Sequence, residues 1–149
     1  MRSFPTQLAL GIVAFVAVPS LASAQAAEDT LPATAQPDPR IAQSAKVIQS
    51  SLDAWRAGDF EGWIKWYASD VVVIAPQMYI QGRKDLRAIY RPAFDMGVPA
   101  PTILDSGWTG EKVFIRQREY ASASDPGMVT YAEYEVRGGR IISVNARLD

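Results

Sequence analysis

Between Ile41 and Trp55 apolar side chains recur at intervals of four, three, four and three residues (Ile41, Ala45, Ile48, Leu52, Trp55), while Lys46, Asp53 and Arg56 fall outside that stripe. This spacing predicts an amphipathic helix. Asp38 is placed to cap it, and Pro39 is tolerated in its first turn, where an amide proton would have no partner. Gly58 ends the helix as a left-handed cap. Asp59 then caps a second, shorter helix, with Phe60, Trp63, Ile64 and Tyr67 as its buried face. So short a link forces the two helices to turn sharply against each other. The period then changes: Asp70 opens Val71-Val72-Val73-Ile74-Ala75, a run rich in β-branched residues that predicts a strand covered on both faces and closed by Pro76.

Beyond Pro76 the sequence predicts a loop holding Met78 and Tyr79, then a third helix after Gly82 with Leu86, Ile89, Tyr90 and Phe94 at helical spacing. Pro92 is expected to kink that helix or end it near Tyr90, leaving Phe94 in a following turn. Strands are expected over 102–108, 112–121, 128–136 and 141–148, with Gly138-Gly139 as a tight hairpin between the last two. Helices come first and strands afterwards, an α+β order with a mostly antiparallel, curved sheet.

Composition narrows the chemistry. The 149-residue chain contains neither cysteine nor histidine, and its net charge is −1. Disulfides, thiolate nucleophiles, Ser-His or Cys-His relays and an imidazole base are therefore excluded. Scattered single Lys and Arg residues give no nucleic-acid footprint. The acidic residues are dispersed and no metal or cofactor is expected. Arg2, the apolar run from Leu8 to Val18 and Ala22-Ser23-Ala24 read as a signal peptide over residues 1–24. Residues 25–39, rich in Ala, Thr, Pro and Gln, read as a disordered leader, and 40–149 as a single domain. The expected location is the periplasm or the exterior, with no membrane contact after cleavage.

The stretch DAWRAGDFEGWIKWYASDVVVIAP resembles the helix-Gly-Asp-helix-strand signature of the nuclear transport factor 2-like superfamily, which includes SnoaL-like proteins and ketosteroid isomerases. Gly82 before the third helix and the closing YEVRGGRIISVNARLD add to the likeness. The resemblance implies a cone-shaped curved sheet wrapped around the long first helix, an enclosed apolar pocket, and a homodimer. It also implies what is missing. The proton-abstracting Asp of the isomerases falls on Ala75 and their oxyanion-hole Tyr near Ser51, so that mechanism is disfavoured. Their protonated Asp falls near Tyr131, which would keep a hydrogen-bond donor in the cavity.

Candidate pocket walls are Trp55, Tyr67, Tyr79, Tyr90, Phe94 and Trp108, more aromatic surface than a core of this size requires. Alternation along 128–136 puts Tyr131, Glu133 and Glu135 on one strand face and Thr130, Ala132, Tyr134 and Val136 on the other. Along 112–121 it separates Val113, Ile115, Gln117 and Glu119 from Phe114, Arg116, Arg118 and Tyr120. If the Tyr131 face lines the cavity, Tyr131 and Glu133 are candidate catalytic residues, with Arg116 or Arg118 as ion-pair partners that also bind substrate. If that face is the solvated one, these pairs are surface salt bridges. The expected function is an exported protein that binds a small apolar or amphipathic molecule. Two alternatives stand beside it: a cofactor-free isomerase, cyclase or hydrolase using Tyr131 and Glu133, and a dimerising module with a vestigial pocket.

Overall fold

The structure is a computed structural model that describes residues 38–149; the expected signal peptide and nearly all of the expected leader lie outside the described residues. Helix α1 spans Pro39–Arg56, and the Asp38 carboxylate accepts the Arg40 amide at its start (2.8 Å). Its buried face runs through Ile41, Ser44, Val47, Ile48, Ser51 and Leu52. The expected stripe is thus rotated, and Ala45 is exposed. Two serines sit inside because each hydroxyl donates to its own helix, Ser44 to Arg40 O and Ser51 to Ile48 O, so neither is left without a partner.

Gly58 takes the left-handed conformation (φ 69°), and Asp59 caps α2 (Phe60–Ile64) by accepting the Gly62 amide at 2.7 Å. The second helix stops at Ile64, and Tyr67 is not in it. Instead Tyr67 opens strand β1 (Tyr67–Ala75). Once Trp66 turns the chain, its carbonyl accepts from Ile141 N and the backbone joins the sheet. The strand is covered on one face only. Val71 and Val73 are buried, but Ile74 is 46% exposed, so the continuous apolar run does not mean burial on both sides.

The expected loop after Pro76 is a strand, β2 (Met78–Gln81), joined to β1 by a two-residue turn in which Gln77 adopts φ 67°. Helix α3 (Arg83–Asp95) continues through Pro92 to include Phe94. The lost hydrogen bond falls on the side where Ala88 and Pro92 are exposed, and water can serve the freed carbonyl there. Ile89, expected on the buried face, is 47% exposed. The Arg87 guanidinium grips Glu61 with two bonds and ties α3 to α2, while Arg87 and Arg91 cover the Phe60 ring.

Strands β3 (Thr102–Thr109), β4 (Lys112–Glu119), β5 (Met128–Arg137) and β6 (Arg140–Leu148) complete a six-stranded sheet in the order β2-β1-β6-β5-β4-β3. The sheet is mixed: β1 runs parallel to β6, and the other neighbours are antiparallel. Register breaks at Ile103/Asp105, Glu135/Val136 and Tyr67/Val72 bend the strands, and the sheet curves without closing. Its inner face packs on α1 through Val113, Ile115, Ala132, Tyr134 and Val144.

The Asp59 cap serves a helix too short to persist alone. Replacing it with alanine is expected to lower stability by about 1 kcal/mol, read as a reduced urea midpoint at unchanged m-value.

Candidate functional site

Between α1, α2, α3 and the inner face of the sheet lies a cavity of about 130 Å³. Helix α1 contributes Leu52 and Trp55, α2 contributes Trp63, and α3 contributes Leu86 and Tyr90. The sheet supplies Tyr67, Val73, Ala75, Met78, Gln117, Glu119, Ala132, Tyr134, Val144 and Ala146. Pro99, Pro101 and Tyr120 complete the lining. Period-two alternation explains the sheet's share: Gln117 pairs with Thr130, Ala132 with Ala146 and Tyr134 with Val144, and directly opposed residues share a face.

One wall is an aromatic cluster. The Trp63 ring meets Trp55, Tyr67 and Tyr90 at centroid distances of 5.3, 4.9 and 5.1 Å. Trp55 is fixed by its indole N–H, which donates to Val98 O (2.9 Å). Phe94 packs behind this wall against Trp55, Phe60 and Trp63 without lining the cavity. Of the residues expected to form a pocket, Trp55, Tyr67 and Tyr90 line this cavity.

The other expected residues are elsewhere. Tyr79 is 63% exposed, because it alternates with the inward Met78 and Ile80. Trp108 stands on edge strand β3 over a separate groove against Ile41 and Ala45. Tyr131 and Glu133 lie on the outer face of β5, opposite to Ala132 and Tyr134. There Tyr131 stacks on Phe114 (5.3 Å), with the Arg147 guanidinium 4.3 Å from its ring centre, and Glu133 lies 3.8 Å from Lys112. Arg116 pairs with Asp149 (2.6 Å), and Arg118 donates to Pro126 O (3.3 Å). Neither arginine partners Glu133, and the Tyr131 face is the solvated one. Ser51 and Ala75 occupy a helix position closed on Ile48 O and a pocket-wall position respectively.

The polar end of the cavity is instead Gln117, Glu119 and Tyr134. The Gln117 amide donates through Nε2 to Glu119 Oε1 (2.7 Å), and Thr130 Oγ1 donates to the same oxygen (2.9 Å). That geometry orients the amide so that Gln117 Oε1, on a residue only 3% exposed, accepts nothing. Trp63 Nε1 is likewise buried; it approaches the Tyr67 hydroxyl without making a hydrogen bond of proper geometry. Two orphans at one cavity are an incomplete hydrogen-bond set. The signal for Gln117 and Glu119 lies in the alternation: they extend the Val113–Ile115 face and end it with polar groups.

Burial pushes the Tyr90 hydroxyl up to about 12, with the Glu119 charge adding to the effect. Burial also holds the Tyr134 and Tyr67 hydroxyls well above the usual tyrosine range. Glu119 and Tyr90 reinforce this at Tyr134, and the Gln117 amide partly opposes it. All three are donors at neutral pH. Among the described residues no group of three or more Asp, Glu, His or Cys side chains converges, so the site offers no metal-ligand set.

The family model for the SnoaL-like domain matches residues 48–144, and the chain belongs to this family within the nuclear transport factor 2-like superfamily. No curated protein matches the chain. Among solved structures it is similar to a nuclear transport factor 2-like protein of unknown function from Mesorhizobium loti. That match has a TM-score of 0.64 at 18% identity, covering 76% of this chain and 96% of that one. A putative polyketide cyclase from Sinorhizobium meliloti matches with TM-score 0.58 at 19% identity over 68% of this chain and 93% of its own. A de novo designed protein with a curved β-sheet gives 0.59 at 18% identity over 72% and 86%. At these identities the likeness is one of fold.

The tyrosine shifts have a stability consequence. An unfolded Tyr90 ionises near 10.0 and the folded one near 12, so the folded state keeps this proton longer. The stabilisation is complete below pH 10.0 and is lost as pH rises through 12. Urea unfolding across that window is expected to show stability falling steeply in the wild type and less steeply in Tyr90→Phe.

Proposed function

We propose that this domain binds a small, largely apolar organic molecule in the cavity bounded by Trp55, Trp63, Tyr90 and Tyr134. The observation that carries this reading is the pair of unpartnered buried atoms, Gln117 Oε1 and Trp63 Nε1, beside a cavity with aromatic walls. An unsatisfied buried polar group costs about 1–3 kcal/mol, and a ligand bearing a donor and an acceptor would relieve that cost. A cavity of roughly 150 Å³ holds a benzene-sized molecule, which sets the scale of the occupant at about six to ten heavy atoms.

A catalytic variant of this reading draws support from the putative polyketide cyclase among the structural neighbours and from Glu119 in the pocket. Its acid–base group would be Glu119 with Tyr134 or Tyr90 as hydrogen-bond donors. Tyr131 and Glu133 have no access to the cavity.

Export and pairing of two copies complete the proposal. Export rests on the apolar run Leu8–Val18 followed by Ala22-Ser23-Ala24. Pairing rests on the outer sheet face, where Ile74 and Tyr79 are exposed and Phe114 and Tyr131 are half-buried with no element of the described chain over them. Sedimentation velocity is expected to give a dimer that Tyr79→Lys weakens; a wild-type monomer at all concentrations would refute pairing.

Binding is tested by titrating the protein with small aromatic compounds while following tryptophan fluorescence. Ala146→Leu, which fills the cavity, is expected to abolish the response without loss of stability, and Glu133→Gln is expected to leave it unchanged. A response that survives Ala146→Leu places the ligand elsewhere.

A further inference from the structure

We infer that the pocket selects a small organic cation, an ammonium carried on an apolar or aromatic body, seated against Glu119 and Gln117. The inference rests on the pocket reading above and adds the sign of the ligand's charge. Glu119 is the one charged residue among those that line the cavity; no Lys or Arg of the described residues lines it. Its two hydrogen-bond donors, Gln117 Nε2 and Thr130 Oγ1, are neutral, and both act on Oε1. The carboxylate is thus held in place without being neutralised. Among the described residues the close acid–base contacts, from Arg40–Asp38 to Arg137–Glu135, all involve other carboxylates, and none reaches Glu119.

The hydrogen-bond inventory points the same way. Glu119 Oε2 accepts no bond from the described residues, and Gln117 Oε1 is buried and empty. Two acceptors on contacting side chains thus have no protein donor among the described residues, one of them buried and the other on a partly exposed, charged carboxylate. An ammonium supplies several N–H donors and the compensating charge together. The walls built from Trp55, Trp63, Tyr90 and Tyr134 present π-electron density, which attracts a cation and repels a carboxylate. An anionic ligand would meet Glu119 with no counter-charge. A neutral hydroxyl can donate to the carboxylate but brings no compensating charge.

Three probes of one shape decide this on the full-length protein: benzylammonium, benzyl alcohol and benzoate, titrated by calorimetry and tryptophan fluorescence. Charge-assisted hydrogen bonding is expected to make benzylammonium at least about tenfold tighter than benzyl alcohol, with benzoate unbound. Glu119→Gln keeps an acceptor for Thr130 and removes the charge. It is expected to bring the affinities for benzylammonium and benzyl alcohol within about twofold of each other. Equal affinity for benzyl alcohol and benzylammonium in the wild type would overturn the cation inference and leave the pocket reading intact. Preference for benzoate would overturn it as well. Binding of none of the three would take down the pocket reading and the inference with it. The wild-type series separates these outcomes by itself, even if Glu119→Gln fails to fold.

Discussion

The inner face of the sheet has one place to be buried, against α1 and the aromatic side chains of α2 and α3, and the period-two geometry of a strand then assigns every other residue to water. Ile115, Ala132 and Tyr134 face the helices together because they oppose one another across β4 and β5 or alternate with outward neighbours. The same rule sends Tyr131, Glu133 and Arg116 outward. A shift of one residue in β5 would exchange the two sets. The pocket's chemistry is therefore a consequence of register, and the register is held by the apolar face and by the bulges that let the sheet curve around α1.

Much of this architecture is written locally. The Gly58-Asp59 link is legible because a left-handed glycine and a capping carboxylate act within a few residues, and both do so here. The Gly138-Gly139 hairpin is legible for the same reason, with positive φ at both glycines. Local pattern misleads where a distant partner decides. Tyr67 continues the helical spacing of Phe60, Trp63 and Ile64, yet the sheet captures it once Trp66 O pairs with Ile141 N. Met78–Gln81 holds two strand formers, Tyr79 and Ile80, but is only four residues long, and pairing with β1 makes it a strand. Pro92 stays in its helix because the carbonyl it strands faces water.

The site shows the same division. Trp55, Tyr67 and Tyr90 are legible as bulky apolar side chains that have to be enclosed. Tyr131 and Glu133 stand out in the sequence as a tyrosine beside an acid, but the face carrying Thr130, Ala132 and Tyr134 is the less charged of the two and is the buried one. The two unpaired atoms that matter most, Gln117 Oε1 and Trp63 Nε1, lie beyond the reach of sequence, since an unmet hydrogen bond is a property of surroundings. Each lowers local stability for as long as its hydrogen bond is unmet.

On the proposed binding reading, the ligand sits on the inner face, in the cavity lined by Trp63 and Gln117. The most direct measurement is two-dimensional NMR of the four tryptophan indole N–H resonances during addition of benzylammonium. A saturable shift of the Trp63 indole proton is predicted, with that of Trp108, on the far edge strand, unmoved. A shift at Trp108 with Trp63 unchanged would contradict it.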